Sequence, residues 1–180
     1  SDPEHTVGLR QLHTGNVSLL AQWRFAKHSN WCTTLGISTK LALEPATGSA
    51  VLTLPAFRLL PAQLMPMARA MAMRFYVYLL DEDRELLEVK IIEDLCVDID
   101  VLHPEIEAEF DFSPVKNGVL LMIAVSQLHL QAAGEAKVFA TANKRYYKAS
   151  LVLVQAIKNG KKVAYSAGAE AAVAKEPVAK

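Results

Sequence analysis

This 180-residue sequence has few cysteines and few aromatic residues, and its formal net charge is zero. It holds two cysteines, Cys32 and Cys96, which cannot form a disulfide framework. Aromatic residues make up 7% of the chain, so we expect a mainly aliphatic core. Lys and Arg balance Asp and Glu at 19 each, which argues against a nucleic-acid-binding protein with a broad basic surface. No apolar run approaches the ~20 residues of a membrane-spanning helix, so no membrane span is expected.

Sequence signatures of catalysis and of metal binding are lacking as well. The five histidines have none of the usual zinc-ligand spacings. No Gly-x-Ser-x-Gly or Gly-x-Gly-x-x-Gly sequence occurs, which leaves no nucleophile elbow and no phosphate-binding loop to consider. Cys96 lies between Leu95 and Val97 and is interpreted as a small core residue. We therefore predict no catalytic, cofactor-binding or metal-binding residues, and a protein that is not an enzyme.

Charge is distributed unevenly along the chain although its net value is zero. Residues 1–80 carry a net charge of +4, residues 81–111 one of −11 and residues 112–180 one of +7. In one interpretation, acidic strands lie beside basic strands and neutralise them within the fold. In a second, oppositely charged poles face outward and join subunits head to tail. A cation or basic ligand bound at the acidic stretch is a third.

Alternation of apolar and polar residues with a period of two dominates the chain from residue 50 onward. In residues 105–112, four apolar side chains point one way and four carboxylates the other. Asn159-Gly160 favours a type I′ turn, in which both residues have positive φ. No strand–helix alternation is present, so we predict an all-β fold, an antiparallel two-layer β-sandwich. Its further strands are predicted at residues 50–57, 71–80, 86–92, 97–101, 119–130, 137–141, 146–157 and 162–166.

The predicted sandwich is a single domain over residues 1–166. Its N-terminal part is ambiguous, because residues 17–25 fit a strand by alternation and a short helix by the N-cap residue Asn16. Residues 167–180 are low in sequence complexity and are predicted to be a flexible tail. Nothing in the sequence indicates a cellular location.

Six carboxylates and a short basic segment are the candidate interaction residues. We expect the carboxylates on one face of adjacent strands, where like charges opposite each other would need relief from Lys or Arg, water or calcium. The basic segment mixes charge with aromatic rings, which suits an anionic polymer or stacking on sugars. The acidic set comprises Asp98, Asp100, Glu105, Glu107, Glu109 and Asp111, and the basic segment Lys144, Arg145, Tyr146, Tyr147 and Lys148.

Residues 44–57 read EPATGSAVLTLPAF and precede a long apolar strand, which is followed later by residues 118–125 and 146–160. This order resembles that of uncharacterised β-rich proteins of Bacteroidetes, over about residues 41–160. The resemblance implies an all-β fold, and it carries no catalytic residue over to this chain.

These observations favour a non-enzymatic binding or structural-assembly module that uses a β-sandwich surface with opposite charge poles. The expected partners are further copies of the chain or another protein, with no cofactor and no nucleic acid. A carbohydrate-binding or adhesion module of a surface or secreted protein is the alternative. That alternative requires two or three exposed aromatic side chains in a row, with a glycan as the ligand.

Overall fold

The protein is built from antiparallel β-sheet. The computed structural model describes residues 11–17, 20, 35–60, 67–131, 138–140 and 148–164. Every strand pair in these residues is antiparallel, so the prediction of an all-β fold is confirmed. The described elements are the 3-10 turn η1 (Leu12–Thr14) and the strands β1 (Lys40–Leu43), β2 (Ser49–Leu54), β3 (Phe57–Arg58), β4 (Ala68–Asp81), β5 (Leu86–Asp98), β6 (Leu102–His103), β7 (Ile106–Asp111), β8 (Gly118–Gln131), β9 (Val138–Ala140), β10 (Lys148–Lys158) and β11 (Lys161–Lys162).

The strands form three sheets, of which the largest has six strands. Its order is β11-β10-β8-β4-β5, and β9 pairs with the end of β8. A smaller sheet has the order β1-β2-β7, and β3 pairs with β6. The edge strands of the large sheet are therefore β5 and β11, although β5 precedes β8 along the chain.

One hydrophobic core contains side chains from both larger sheets. Leu52 on β2, Phe75 on β4 and Met122 on β8 are fully buried members of this cluster. Every second residue from Met71 to Leu79 is buried in it, as the period-two pattern predicts. A shared core is what two packed layers require, and the two-layer β-sandwich itself stays a prediction.

The opposite face of the six-stranded sheet is also largely apolar. Tyr76 and Tyr78 are half-buried there, on the strand face turned away from the core. Near one end of this face Val17 packs against Val119, so the N-terminal segment covers part of it. Val17 and Leu20 are the described residues of the ambiguous segment 17–25, and both have 3-10 helical backbone. The remainder of that segment lies outside the described residues.

Strand β5 departs from the sequence-based prediction in two ways. The sequence predicts separate strands at residues 86–92 and 97–101, whereas one strand continues to Asp98 through a register shift against β4 between Met73 and Phe75, and residues 99–101 form a turn. The prediction that Cys96 is a core residue is wrong, because its thiol is free and the residue is exposed. Leu95 and Val97 pack on the core, and the period of two turns the residue between them outward.

The strands that the sequence did not predict are short, and the clearest predicted turn is present. β1 has four residues, and β3 and β6 have two each, which is too few to give a periodic pattern. Asn159 and Gly160 have φ of 53° and 70°, as the type I′ turn requires. The predicted tail at residues 167–180 lies outside the described residues.

Gly48 joins the β1–β2 turn to the end of β7. Its φ is +84°, and its carbonyl oxygen accepts the Phe112 N–H at 2.9 Å. A Cβ at this position would lie 1.9 Å from the Phe112 carbonyl oxygen. Both the backbone conformation and the close approach of two chains therefore require glycine here.

We predict that Gly48→Ala destabilises the protein more than Gly160→Ala does. Gly160 also has a positive φ, of 70°, but a Cβ there would meet nothing within 4 Å. Gly160→Ala should cost about 1–2 kcal/mol in free energy of unfolding for the left-handed backbone alone. Gly48→Ala should cost at least ~1 kcal/mol more, because the Phe112 backbone must also move. Urea denaturation of both variants tests this, and equal losses would contradict it.

Candidate functional site

The acidic set is divided between the two larger sheets. Glu107, Glu109 and Asp111 are exposed on β7, an edge strand of the three-stranded sheet, while the apolar residues between them pack on the core. Glu105 is exposed immediately before β7. The alternation predicted for residues 105–112 is therefore present, and four carboxylates follow one another along this strand.

Asp98 and Asp100 do not share that face, contrary to the expectation from sequence. Asp98 ends β5 in the six-stranded sheet, where its backbone carbonyl oxygen lies 2.9 Å from the His103 Nε2. Asp100 lies in the following turn with φ +67° and forms an ion pair with the Arg58 guanidinium, at 2.7 Å from Nη2. Asp98, at the end of β5, and Asp100, in the turn that follows, therefore do not belong to the row of carboxylates on β7.

The carboxylates on β7 need no bound cation for the sheet to be stable. Their cross-strand partners on β2 are neutral, since Glu107 pairs with Thr53 and Asp111 with Ser49. Successive carboxylates on one face are about 6.6–7 Å apart along a strand and repel weakly when exposed to water. Within the described ranges, no three His, Cys, Asp or Glu side chains are grouped so as to hold a metal ion.

The predicted basic segment lies mostly outside the described residues. This is true of Lys144, Arg145, Tyr146 and Tyr147, whereas Lys148 is the first residue of β10. At the other end of this strand, Lys161 and Lys162 are exposed on β11 at the sheet edge. The described lysines of β10 and β11 thus lie at the edge of the six-stranded sheet opposite to β5.

The acidic strand β5 and the basic strands β10 and β11 remain apart in the six-stranded sheet. Three strand spacings of about 4.8 Å separate β5 from β10, or roughly 14 Å across the sheet. Within the described residues, Asp81 and Asp100 of segment 81–111 form ion pairs with Arg84 and Arg58, and Glu82 contacts the His13 ring. None of these partners belongs to the basic residues after position 112. In the described residues the acidic segment is therefore not neutralised by the basic one.

A network at the β4–β5 hairpin tip is the arrangement that sequence reasoning missed. The Glu82 carboxylate accepts the backbone N–H groups of Leu12 at 2.6 Å and His13 at 3.0 Å, and it also contacts the His13 ring. Asp83 accepts from the Asn117 side chain, whose oxygen in turn accepts the Asn159 N–H. Four separate segments thus meet at this tip, through partners that lie 34 to 70 positions apart in the sequence.

Asp81 is the buried carboxylate of this network. Its side chain is 5% exposed and lies 2.6 Å from the Arg84 Nε. Burial alone raises the pKa of Asp81, but hydrogen bonds from the Arg84 side chain and from the Arg84 and Asp83 backbone, with the Arg84 charge, lower it below its ordinary value. Arg84 also donates to the Pro114 carbonyl oxygen at 2.8 Å, which links the tip to the loop before β8. Asp81 and Arg84 therefore form a structural ion pair.

Comparison of the chain with models of known protein families, with curated proteins and with solved structures found no match. The resemblance to β-rich proteins of Bacteroidetes accordingly stays a prediction. Among the residues that the structure describes, no helix has the length and apolar character needed to cross a lipid bilayer.

We predict that Asp81→Asn destabilises the protein in a pH-dependent manner. At pH 7 the loss should be about 1–3 kcal/mol, because the buried side chain no longer carries the charge that Arg84 contacts. A carboxylate with a lowered native pKa stabilises the fold above its unfolded pKa of about 3.9, and this contribution is lost as the pH falls through the native pKa. The difference between variant and wild type should therefore shrink at low pH.

Urea denaturation at several pH values measures this difference. Asp83→Asn is the matched control, because Asp83 is exposed and accepts from the neutral Asn117 amide. A loss for Asp81→Asn that is the same at pH 7 and pH 2.5 would contradict the prediction.

Proposed function

We propose that this protein is a non-enzymatic assembly module in which the acidic strand β7 of one copy binds the basic β10–β11 edge of another. The observation that carries the proposal is the separation of charge. Glu107, Glu109 and Asp111 are exposed and form no ion pair within the described residues, while Lys161 and Lys162 are exposed on a different sheet edge. Unsatisfied charges of opposite sign on one molecule complement each other between molecules.

Such a contact is heterologous, because the two copies contribute different surfaces. Repetition of a heterologous contact gives either a closed ring or an open filament. The zero net charge of the chain favours this association, since two copies do not repel each other overall. Exposed ion pairs contribute about 0–1 kcal/mol each, so several must act together and the assembly should be weak and salt-sensitive.

We predict that the particle size in solution falls as salt is added. Light scattering should find larger assemblies at about 0.02 M salt than at about 0.5 M, where charges are screened beyond a few ångströms. Glu107→Lys/Glu109→Lys should abolish the increase in particle size at low salt, and so should Lys161→Glu/Lys162→Glu. A mixture of the two variants should associate again, because each then offers a surface that the other complements.

The control for charge alone is Glu44→Lys/Glu85→Lys, which changes two exposed carboxylates away from β7. It should leave the salt-dependent assembly intact. A particle size that is the same at low and high salt, or an assembly that the β7 and β11 substitutions leave unchanged, would overturn the proposed function.

Carbohydrate binding is a second candidate, and one observation favours it. Tyr76 and Tyr78 lie side by side on the outer face of β4 and are half-buried. Aromatic rings that remain partly exposed on a sheet can stack on sugars through their faces. A change in tryptophan fluorescence on addition of a glycan panel, abolished by Tyr76→Ala, would support this candidate.

A further inference from the structure

Strand β5 is a long, exposed and apolar edge strand. It has 13 residues and is the terminal strand of the six-stranded sheet, and no described residue pairs with its outer edge. Leu87, Val89 and Ile91 are 55%, 44% and 56% exposed, and they occupy alternate positions on one face. An edge of this kind presents unpaired backbone donors and acceptors next to apolar side chains, and it is a template for another strand.

From this edge and its sequence we propose that two copies of the chain pair through residues 86–92 of β5, antiparallel and about a two-fold axis at Val89. In this register Glu88 of one copy faces Lys90 of the other, and the same pair recurs on the other side of the axis. Leu87 faces Ile91 in the same way, and Leu86 faces Ile92. The strand is therefore complementary to itself in charge and in apolar side chains.

Contacts with residues 112 and 113 show on which side of β5 the charged residues Glu88 and Lys90 lie. The Ser113 N–H donates to the Glu88 carboxylate at 3.1 Å, and the Lys90 Nζ lies 5.8 Å from the centroid of the Phe112 ring. Both side chains thus lie on the core side of β5, while the apolar row occupies its other side. A carboxylate with one backbone donor has acceptor sites left, so Glu88 can also accept from Lys90 of a second copy.

Pairing at β5 would extend the six-stranded sheet across the two-fold axis. The register shift against β4 at Met73 and Phe75 marks where β5 changes its course, so the paired segment ends near residue 92. Seven residues in antiparallel pairing form about six backbone hydrogen bonds. A second copy is the occupant that this strand fits, because the opposing residues complement each other only when the same sequence runs in the opposite direction.

This contact goes beyond the salt-sensitive assembly proposed above and is separable from it. Charge-pole contacts are screened at 1 M salt, where the Debye length is about 3 Å. Backbone hydrogen bonds and apolar pairs persist under those conditions, and high salt strengthens apolar association. A dimer that survives 1 M salt therefore reports on β5, whereas failure of the β7 substitutions to act reports on the poles.

The first test is sedimentation velocity of the full chain in 1 M salt over a range of concentrations. Wild type should dimerise, and Val89→Lys should raise the dissociation constant at least tenfold because two lysines would meet on the axis. Leu102→Lys is the matched control, since Leu102 is 71% exposed outside β5. A wild-type monomer at all concentrations, or a dimer that Val89→Lys leaves unchanged, would overturn the proposal.

The second test concerns the register. Glu88→Lys and Lys90→Glu should each weaken self-association by placing like charges opposite each other. Mixed in equal amounts the two variants should form a heterodimer, because every position 88 then meets an opposite charge at position 90. Circular dichroism checks that both variants are folded, so that a loss of dimer is not a loss of fold. Two variants that dimerise alone and gain nothing on mixing would exclude this register.

A disulfide cross-link gives an independent distance. Directly opposed residues in an antiparallel pair have Cα atoms about 4.5–5.5 Å apart, which a disulfide can bridge. In a Cys32→Ser/Cys96→Ser background, Val89→Cys should cross-link two copies on mild oxidation, and Leu102→Cys should not. Equal yields for both would show a non-specific contact, and a cross-link at Leu102→Cys alone would move the interface elsewhere. Either result would overturn the proposal.

Discussion

The antiparallel pairing of β4 with β8 is the constraint on which the rest of the structure depends. Both strands have 14 residues, and their register runs from Ala68 opposite Leu130 to Asp81 opposite Gly118. Strand β5 pairs with the other edge of β4, and β10 pairs with the other edge of β8. The inward side chains of β4 and β8 form much of the core. If the β4–β8 register were shifted by one residue, every inward side chain of the shifted strand would turn to the opposite face.

Hydrophobic patterning alone does not set this register, because both faces of the pair are apolar. The end of the pair supplies a stricter condition. At Gly118 a Cβ would lie 2.1 Å from the Leu80 carbonyl oxygen, so the next residue, Val119, cannot occupy this position. Next to it, the Glu82 N–H donates to the Asn117 carbonyl oxygen at 3.0 Å. The close backbone approach at Gly118 and the hairpin-tip network thus fix the β4–β8 register, which the apolar faces alone do not determine.

The separation of charge follows from sheet order. Chain order would place the acidic and basic segments next to each other, since one ends at residue 111 and the other begins at 112. Strands β8 and β4 lie between β10 and β5, however, and this keeps the lysines of β10 and β11 at the edge opposite to the carboxylates of β5. The same topology therefore produces a neutral chain with charged edges, which composition alone does not reveal.

Local patterns were predictable from sequence, and contacts between distant segments were not. The alternation in residues 105–112 and the Asn159-Gly160 turn depend on neighbouring residues, and both are present. The division of the acidic set depends on a turn with positive φ at Asp100, which no periodicity signals. The contact of Glu82 with His13 joins positions 69 apart, and a single sequence contains no mark of such a pair.

The sheet edges differ in how they are protected, and this difference bears on the two contacts proposed above. An exposed edge is normally kept from pairing by charge, by shortness or by cover. β7 carries a carboxylate at every second position, and β11 consists of two lysines. β1 has four residues and begins with Lys40. Residues 86–92 of β5 combine an apolar row with one lysine, Lys90, which their own Glu88 matches in the antiparallel register, and the other carboxylates of β5 follow after residue 92. The carboxylates that deter one β7 from pairing with another still attract lysines, so the acidic edge suits a salt-dependent contact and β5 suits a backbone one.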